Sequence, residues 1–508
     1  MRKVLETILN RMVIVILLVA VQFVFIMVEI FKLSNYYMLI SILFRCISFL
    51  VVFWIVCQED IRPEVKIAWI VPILLFPLFG GLMYLLYGNS YVPRKIRLKL
   101  DETVNTTSLL LKQNEEDKTV FDESNRNAGE MKYLCNIGYP IYKDAHMVYY
   151  ESGEKYWEDL LVELDKADKF IFLEYFIIDE GEMWNSIYKI LKRKVQEGVE
   201  VRLLYDDIGS VFHLPADFAA RLEKEGLHCL AFNRLFPLMS VIQNNRDHRK
   251  IAVIDGKAAF TGGINLADEY INHTHPHGHW KDTGIKVCGE AVWSFTVMFL
   301  QMWSISGRTD EDYTVYHTES RLSFSDNGWI QPFGDIPYLN ERIGEKVYLT
   351  IINNAQKYLY IYTPYLIIGN DMIRSLIRAA ERGVDVRIVT PGIPDKKSVY
   401  WLTQSYYKVL VEGNVKILQY TPGFIHAKCI LSDDYKAVIG TINFDYRSFM
   451  HHFECGAVIY GAGICKDIKE DMIRTFGKCE VITKEWFAKK HIRWRIFGPV
   501  LKLLSPLF

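Results

Sequence analysis

No CxxC pair occurs anywhere in the chain, and its nine cysteines are scattered without close clustering. That spacing excludes a disulfide framework and a zinc ribbon. It suits a reducing compartment in which each Cys is a small buried hydrophobe. Excess charge of either sign is also missing: 59 Lys and Arg stand against 60 Asp and Glu, a net of −1. A chain so balanced is no bulk binder of polyanions, although a local basic cleft is still allowed. Nucleic acid is therefore not expected as a partner. At 508 residues the chain is too long for one core, so two or three domains are expected.

Apolar residues, by contrast, make up half the sequence, with the excess concentrated in the first ninety residues. Met12 to Phe31 and Tyr37 to Cys57 are both apolar runs of spanning length, about 20 residues. The short SNY link between them implies a helical hairpin, with Arg45 snorkelling or paired inside the second run. A third run, Ile67 to Tyr87, carries Pro72, Pro77, Gly80 and Gly81 and reads as a kinked or re-entrant helix. Arg2, Lys3 and Arg11 favour a cytoplasmic N-terminus, and Arg94, Lys95, Arg97 and Lys99 favour a cytoplasmic body. The expectation is a multi-pass membrane protein with two full spans, one broken segment and the remaining chain at the cytoplasmic face.

Beyond the membrane region, residues 1–90, residues 91–130 turn polar and read as a tether and surface segment. Strand and helix patterns then alternate. KFIFLEYFII, the helical WNSIYKILKRKVQEG and VEVRLLYD are followed farther on by YLYIYTPYLII, MIRSLIRAAERG and VDVRIVTPG. GVEVRLLYD and GVDVRIVTP are related stretches. The chain therefore holds one duplicated α/β unit, copied over 131–310 and 341–480, with 311–340 as the connection. Residues 481–508 alternate basic and bulky apolar side chains, among them Trp486, Phe487, Lys489, Lys490, Arg493, Trp494, Arg495 and Phe497. Such a tail suits an anionic bilayer surface.

Each copy ends in the same pattern, HxKxxxxD, six residues, then G[GT]xN. The first supplies His248, Lys250, Asp255, Gly262, Gly263 and Asn265; the second supplies His426, Lys428, Asp433, Gly440, Thr441 and Asn443. Side chains two apart on a strand share a face, so each His and Lys point one way. A single HxK is worthless as evidence; two full copies inside a duplication are strong. If the units close on each other about a pseudo-twofold axis, two Lys and two Asn make a donor-rich nest for a phosphate. One imidazole can then attack phosphorus while the other, protonated, gives its proton to the leaving alkoxide. Paired lysines do the charge work of a cation, so neither metal nor cofactor is expected.

Both motifs match the HKD signature of the phospholipase D superfamily. GTINFDYRSF with HHFE after it, TPYLI, LLYDDIGS and GGINLADEY, beside the membrane hairpin, resemble bacterial cardiolipin synthases. The resemblance implies that two phosphatidylglycerol molecules become cardiolipin and glycerol through a phosphatidyl-histidine. A hydrolytic phospholipase D, releasing phosphatidic acid, is the alternative. Carried over by residue, it implies His248 as nucleophile and His426 as general acid and then base, although pseudo-symmetry leaves that order open. Lys250, Lys428, Asn265 and Asn443 would hold the phosphate, and Asp255 and Asp433 count with the catalytic motif residues, bracing the site more than touching substrate. Asp282 in HWKDTG and Glu454 in HHFE fall at corresponding places and are assigned to orient the histidines. Two features depart from this picture. His273, His275, His277 and His279 mimic a metal site, but Pro276 and Gly278 break that loop and no Cys lies close by. His451 and His452 stand where the family often has Asn. The implied partners are phosphatidylglycerol, cardiolipin and the bilayer, and a homo-oligomer is compatible with the sequence.

Overall fold

A computed structural model describes residues 36–88, 94–114, 128–143, 145–233, 244–307, 312–318, 328–337, 341–488 and 492–507, with a few residues between 20 and 31. The chain divides into two compact units. One comprises residues 94–234 and 246–491, and the other comprises the first 93 residues with 235–245 and 492–508.

In the N-terminal unit, Tyr37–Cys57 is one uninterrupted helix. Its large apolar side chains face outward, with Phe49, Leu50 and Phe53 67%, 70% and 68% exposed. Water is a poor solvent for such a surface, and the hydrocarbon of a bilayer is a good one. Arg45 sits within this helix, and its Nε donates to Ser41 Oγ one turn earlier, at 3.2 Å. The third apolar run breaks at Pro77, into helices Pro63–Leu75 and Pro77–Met83, while Pro72 stays inside the first of them. At about 1.5 Å per residue neither piece can cross a bilayer. Among the described residues, then, one helix is long and apolar enough to span, Met38–Cys57, where the sequence suggested two full spans. The other run, Met12 to Phe31, falls largely outside the described residues.

The larger unit holds two sheets. In chain order the first sheet is built from β1 (His146–Tyr150), β2 (Phe170–Tyr175), β3 (Glu200–Asp206), β4 (His228–Phe232), β5 (Ile251–Ile254), β6 (Ala258–Gly262) and β7 (Gly284–Cys288). The second contains β8 (Trp329–Asp335), β9 (Tyr358–Tyr362), β10 (Asp385–Pro391), β11 (Lys416–Tyr420), β12 (Cys429–Ser432), β13 (Lys436–Gly440) and β14 (His452–Tyr460). The spatial orders are β1-β7-β6-β5-β2-β3-β4 and β8-β14-β13-β12-β9-β10-β11. Each strand in the second order is its counterpart plus seven, and every neighbour pair keeps its sense. β2, β3 and β4 run parallel, as do β9, β10 and β11, and the other neighbours are antiparallel. One continuous core joins the sheets, with Phe172, Val253 and Ile285 of the first packed in the same cluster as Leu431, Ala437 and Ile439 of the second.

Part of the segment read as a polar tether is packed helix, and its residues 115–127 lie outside the described ones. It opens with helix Arg94–Ser108, which packs against helix Val292–Ile305. Leu100 is 2% exposed, and Gln301 Nε2 donates to Thr107 Oγ1 at 2.8 Å. The inward stripe, Leu100, Thr103, Val104 and Thr107, has helical spacing but only two aliphatic members, so composition masks it.

Candidate active site

The two motif histidines enter the site on segments laced to the opposite half. Just before His248, Arg246–Asp247 pairs in parallel with His452 and Phe453, and the His248 N–H donates to the Phe453 carbonyl at 2.9 Å. Just before His426, Gly423–Ile425 pairs in parallel with His279–Lys281, and the His426 N–H donates to the Lys281 carbonyl at 2.8 Å. Beneath the first segment lies a buried ion pair. Asp206 accepts from Arg246 Nε and Nη2 at 2.8–3.0 Å and from the Asp247 N–H at 3.0 Å.

The carboxylates cross in the same sense. His248 Nδ1 lies 2.9 and 3.0 Å from the oxygens of Glu454, and His426 Nδ1 lies 2.8 Å from Asp282 Oδ2. Each acid follows one motif and holds the histidine of the other. With the proton on Nδ1 facing a carboxylate, each ring keeps its Nε2 lone pair for chemistry. Glu454 is fixed by two hydroxyls, those of Thr441 and of Ser448, the latter at 2.7 Å. Asp282, one methylene shorter, comes so near the first motif that a Cβ on Gly263 would lie 2.0 Å from its Oδ1. The Gly263/Thr441 difference thus matches Asp282 to a glycine and Glu454 to a hydroxyl. Ser448, Arg246 and Asp206 were not singled out from sequence, because no repeated motif or spacing marks them; Thr441 stood in the motif without a partner assigned to it.

Lys250 and Lys428 are buried beside the histidines, with each Nζ donating to the carbonyl of its own motif His, Lys250 at 2.6 Å. Lys428 Nζ also stands 2.9 Å from His426 Nδ1. Arg249, between His248 and Lys250, points the other way, with Nε donating to the Glu454 carbonyl at 3.1 Å and Nη1 to Met298 at 3.1 Å. The three residues fall between the Arg246–Asp247 pairing and β5, and their side chains alternate as they do along a strand. Asn443 lies at the site with its side-chain oxygen buried and unbonded. Asn265 Oδ1 accepts from the Ile177 N–H at 3.0 Å, and its Nδ2 donates to the Tyr270 hydroxyl at 2.6 Å.

Asp255 and Asp433 are not brought to the histidines. Asp255 accepts the backbone N–H groups of Asp168, Lys169 and Phe170 at 2.7–3.0 Å, and Asp433 accepts those of Gln356, Lys357 and Tyr358 at 2.7–3.0 Å. Both sit in a left-handed turn, φ 53° and 57°, beyond strands β5 and β12. Seven residues of extended chain separate each from its His, roughly 20 Å. Their place in the catalytic group is therefore corrected. They clamp the starts of β2 and β9, and the fold needs them. Asp255→Ala and Asp433→Ala are expected to lower stability by about 1–3 kcal/mol each, because three amides lose a charged acceptor. Turnover per folded molecule should stay within a few-fold. Thermal melts beside activity normalised to folded protein check this.

Among the described residues one group of His, Cys, Asp or Glu has metal-ligand spacing, His248, His452 and Glu454, and it belongs to this same site. Its Glu454 oxygens and His248 Nδ1 already face each other or bound hydroxyls.

Burial sets the site's electrostatics. It drives Lys250 down to about 8 and, with repulsion from Lys250, Lys428 down to about 7. Burial and then the nearby ammoniums hold His248 well below the usual imidazole range, and they bring His426 to about 4 against the pull of Asp282. Burial alone would raise Asp282, but His426 and Lys428 outweigh it and hold that carboxyl below its ordinary value. The site's own groups therefore give neutral imidazoles beside weakened lysines. An anionic phosphodiester reverses both effects, because its charge favours every cation around it. For the free enzyme, kcat/KM is expected to fall as pH rises through about 7 to 8, where the lysines lose the protons that attract substrate. kcat, which reports the loaded site, should hold to higher pH. Initial rates across pH at saturating and limiting substrate separate the two profiles.

Two cross-braced histidines with two buried lysines define a two-motif phosphodiester-transfer enzyme. The family model for the cardiolipin synthase, PLD-like domain matches residues 160–301 and 348–476, and the phospholipase D-nuclease N-terminal model matches 46–89. A cardiolipin synthase of Geobacillus kaustophilus is 32% identical over 92% of this chain and 94% of its own length. An uncharacterized protein of Streptococcus mutans is 44% identical over 87% of this chain and 96% of its own. Phosphatidylserine synthase from Haemophilus influenzae shares the fold, with a TM-score of 0.57 at 14% identity over 71% of this chain and 95% of that one. The chain belongs to the cardiolipin synthase, phospholipase D-like family, and it is a phosphatidyltransferase of that superfamily.

Proposed function

We propose that this enzyme is a cardiolipin synthase that moves a phosphatidyl group from one phosphatidylglycerol to another and releases glycerol. The observation that carries the reading is the exchange of carboxylates. Each imidazole is fixed by the opposite half, which readies one as nucleophile and the other as proton carrier in a single cleft. The matching strand orders support a pseudo-twofold relation between the two sheet halves of the larger unit.

His248 Nε2 attacks phosphorus, and the P–O bond to glycerol breaks. The leaving oxygen takes the proton from His426 Nε2, which becomes protonated once the anionic substrate offsets the lysine charges. A hydroxyl of a second phosphatidylglycerol then gives its proton to His426 and attacks phosphorus, and the P–N bond breaks. Lys250 and Lys428 hold the non-bridging oxygens, and the amides of Asn265 and Asn443 extend that nest. The outward apolar helix and the basic residues Arg94, Lys95, Arg97 and Lys99 support a multi-pass anchor in the bacterial cell membrane, with the catalytic unit at the cytoplasmic face.

Full-length enzyme in detergent micelles, given labelled phosphatidylglycerol, should yield cardiolipin and glycerol in equal amounts. Phosphatidic acid as the sole lipid product would make it a hydrolase instead.

A further inference from the structure

Two rings occupy equivalent places in the halves. His452 and Trp280 each lie two residues before the acid that crosses to the opposite histidine. His452 lies against His248 with ring centroids 5.3 Å apart, and Trp280 lies against His426 at 5.5 Å. Both are more than nine-tenths buried. Neither ring nitrogen of His452 makes a hydrogen bond, and neither does Trp280 Nε1. Buried polar atoms left this way cost free energy unless a ligand completes them.

The chemistry of the two rings differs. An indole N–H can only donate, whereas a neutral imidazole also accepts. Burial, first of several causes, pushes His452 down to about 3, so its ring is neutral. Its Nδ1 lies 3.7 Å from Glu454 Oε1, and that carboxylate favours the tautomer with the proton on Nδ1. Nε2 is then an unbonded lone pair on a ring packed beside His248, and unlike the Nε2 atoms of His248 and His426 it has no part in the transfer steps. A phosphoryl oxygen would be repelled by it, whereas an alcohol O–H fits.

We propose that His452 is a substrate-contacting specificity residue whose Nε2 accepts a hydrogen bond from a hydroxyl of the polyol headgroup. This rests on the glycerol-headgroup reading above. A site built to meet a hydroxyl discriminates through the group left unpaired when the hydroxyl is absent.

Full-length wild type, His452→Phe and His452→Asn are compared in the same micelles on two substrates. One is phosphatidylglycerol, with cardiolipin as the readout. The other is phosphatidyl-p-nitrophenol, which lacks a headgroup hydroxyl, with p-nitrophenol as the readout. His452→Phe should lower the ratio of the two kcat/KM values about tenfold, chiefly through the KM for phosphatidylglycerol, and His452→Asn should restore most of it. An unchanged ratio in the Phe variant, as a merely structural role would give, overturns the proposal. So does an Asn variant no better than Phe. Wild type that releases p-nitrophenol but makes no cardiolipin overturns the headgroup reading together with this one, and that is visible before any variant is compared.

Discussion

Alanine at His248 or at His426 is expected to reduce cardiolipin formation on the order of 10⁴-fold or more, as removal of a nucleophile or its proton partner does elsewhere. The two losses should not add. Once one imidazole is gone the relay is broken, so the double variant should match the weaker single variant. Both rings are buried, and each removal leaves a buried carboxylate behind, Glu454 or Asp282. Some loss of stability will accompany the change, so rates need scaling to folded protein. Glu454 keeps its hydroxyl donors from Thr441 and Ser448, and Asp282 keeps the Thr283 N–H at 2.8 Å, which limits that loss. Measurable turnover in either variant above about one per cent of wild type would break the two-histidine mechanism.

The second large effect is expected from the crossed acids. Glu454→Gln and Asp282→Asn keep the shape of each site but favour the wrong imidazole tautomer, and each should lower turnover by about 10²–10⁴-fold. Each is expected to act on a different step because it serves a different histidine. Phosphatidyl-p-nitrophenol has a leaving group that departs without a proton. With that substrate, the first step in Asp282→Asn should recover to near the wild-type rate, since only the acid His426 is compromised. Glu454→Gln should gain nothing, because its defect lies in the nucleophile His248. Burst kinetics of p-nitrophenol release read this directly. The reverse pattern would exchange the roles of the two histidines while leaving the crossed geometry intact.

Much of this arrangement was legible in the chain. The repeated HxK pattern, the related GVEVRLLYD and GVDVRIVTP stretches and the Gly-bounded helices are local signals, and local signals survive in a sequence. The pairing of acid with histidine is not local: Glu454 and His248 lie 206 residues apart, and Asp282 and His426 lie 144 apart. Sequence placed both acids at corresponding positions, yet only the fold tells which ring each meets. Asp255 and Asp433 show the opposite limit, in which a shared motif does not mean a shared site. They share a motif with the histidines, but a strand carries them to its far end, where their use is to cap β2 and β9. The helix Arg94–Ser108 was hidden because threonines, not aliphatics, complete its inward stripe. Arg249 was invisible because a charged residue inside a motif reads as solvent-facing, whereas here it is wholly buried against carbonyl oxygens.

The covalent intermediate is the most direct test of the account. Phosphorus-labelled phosphatidylglycerol mixed with enzyme, then denatured in alkali within the first turnover, should leave label on a histidine, since a phosphohistidine survives base and is lost in acid. Peptide mapping should place that label on His248 in wild type. The label should persist far longer in Asp282→Asn, where the second proton transfer is slowed. Turnover to cardiolipin with no label on either His248 or His426 at any time point would contradict the mechanism.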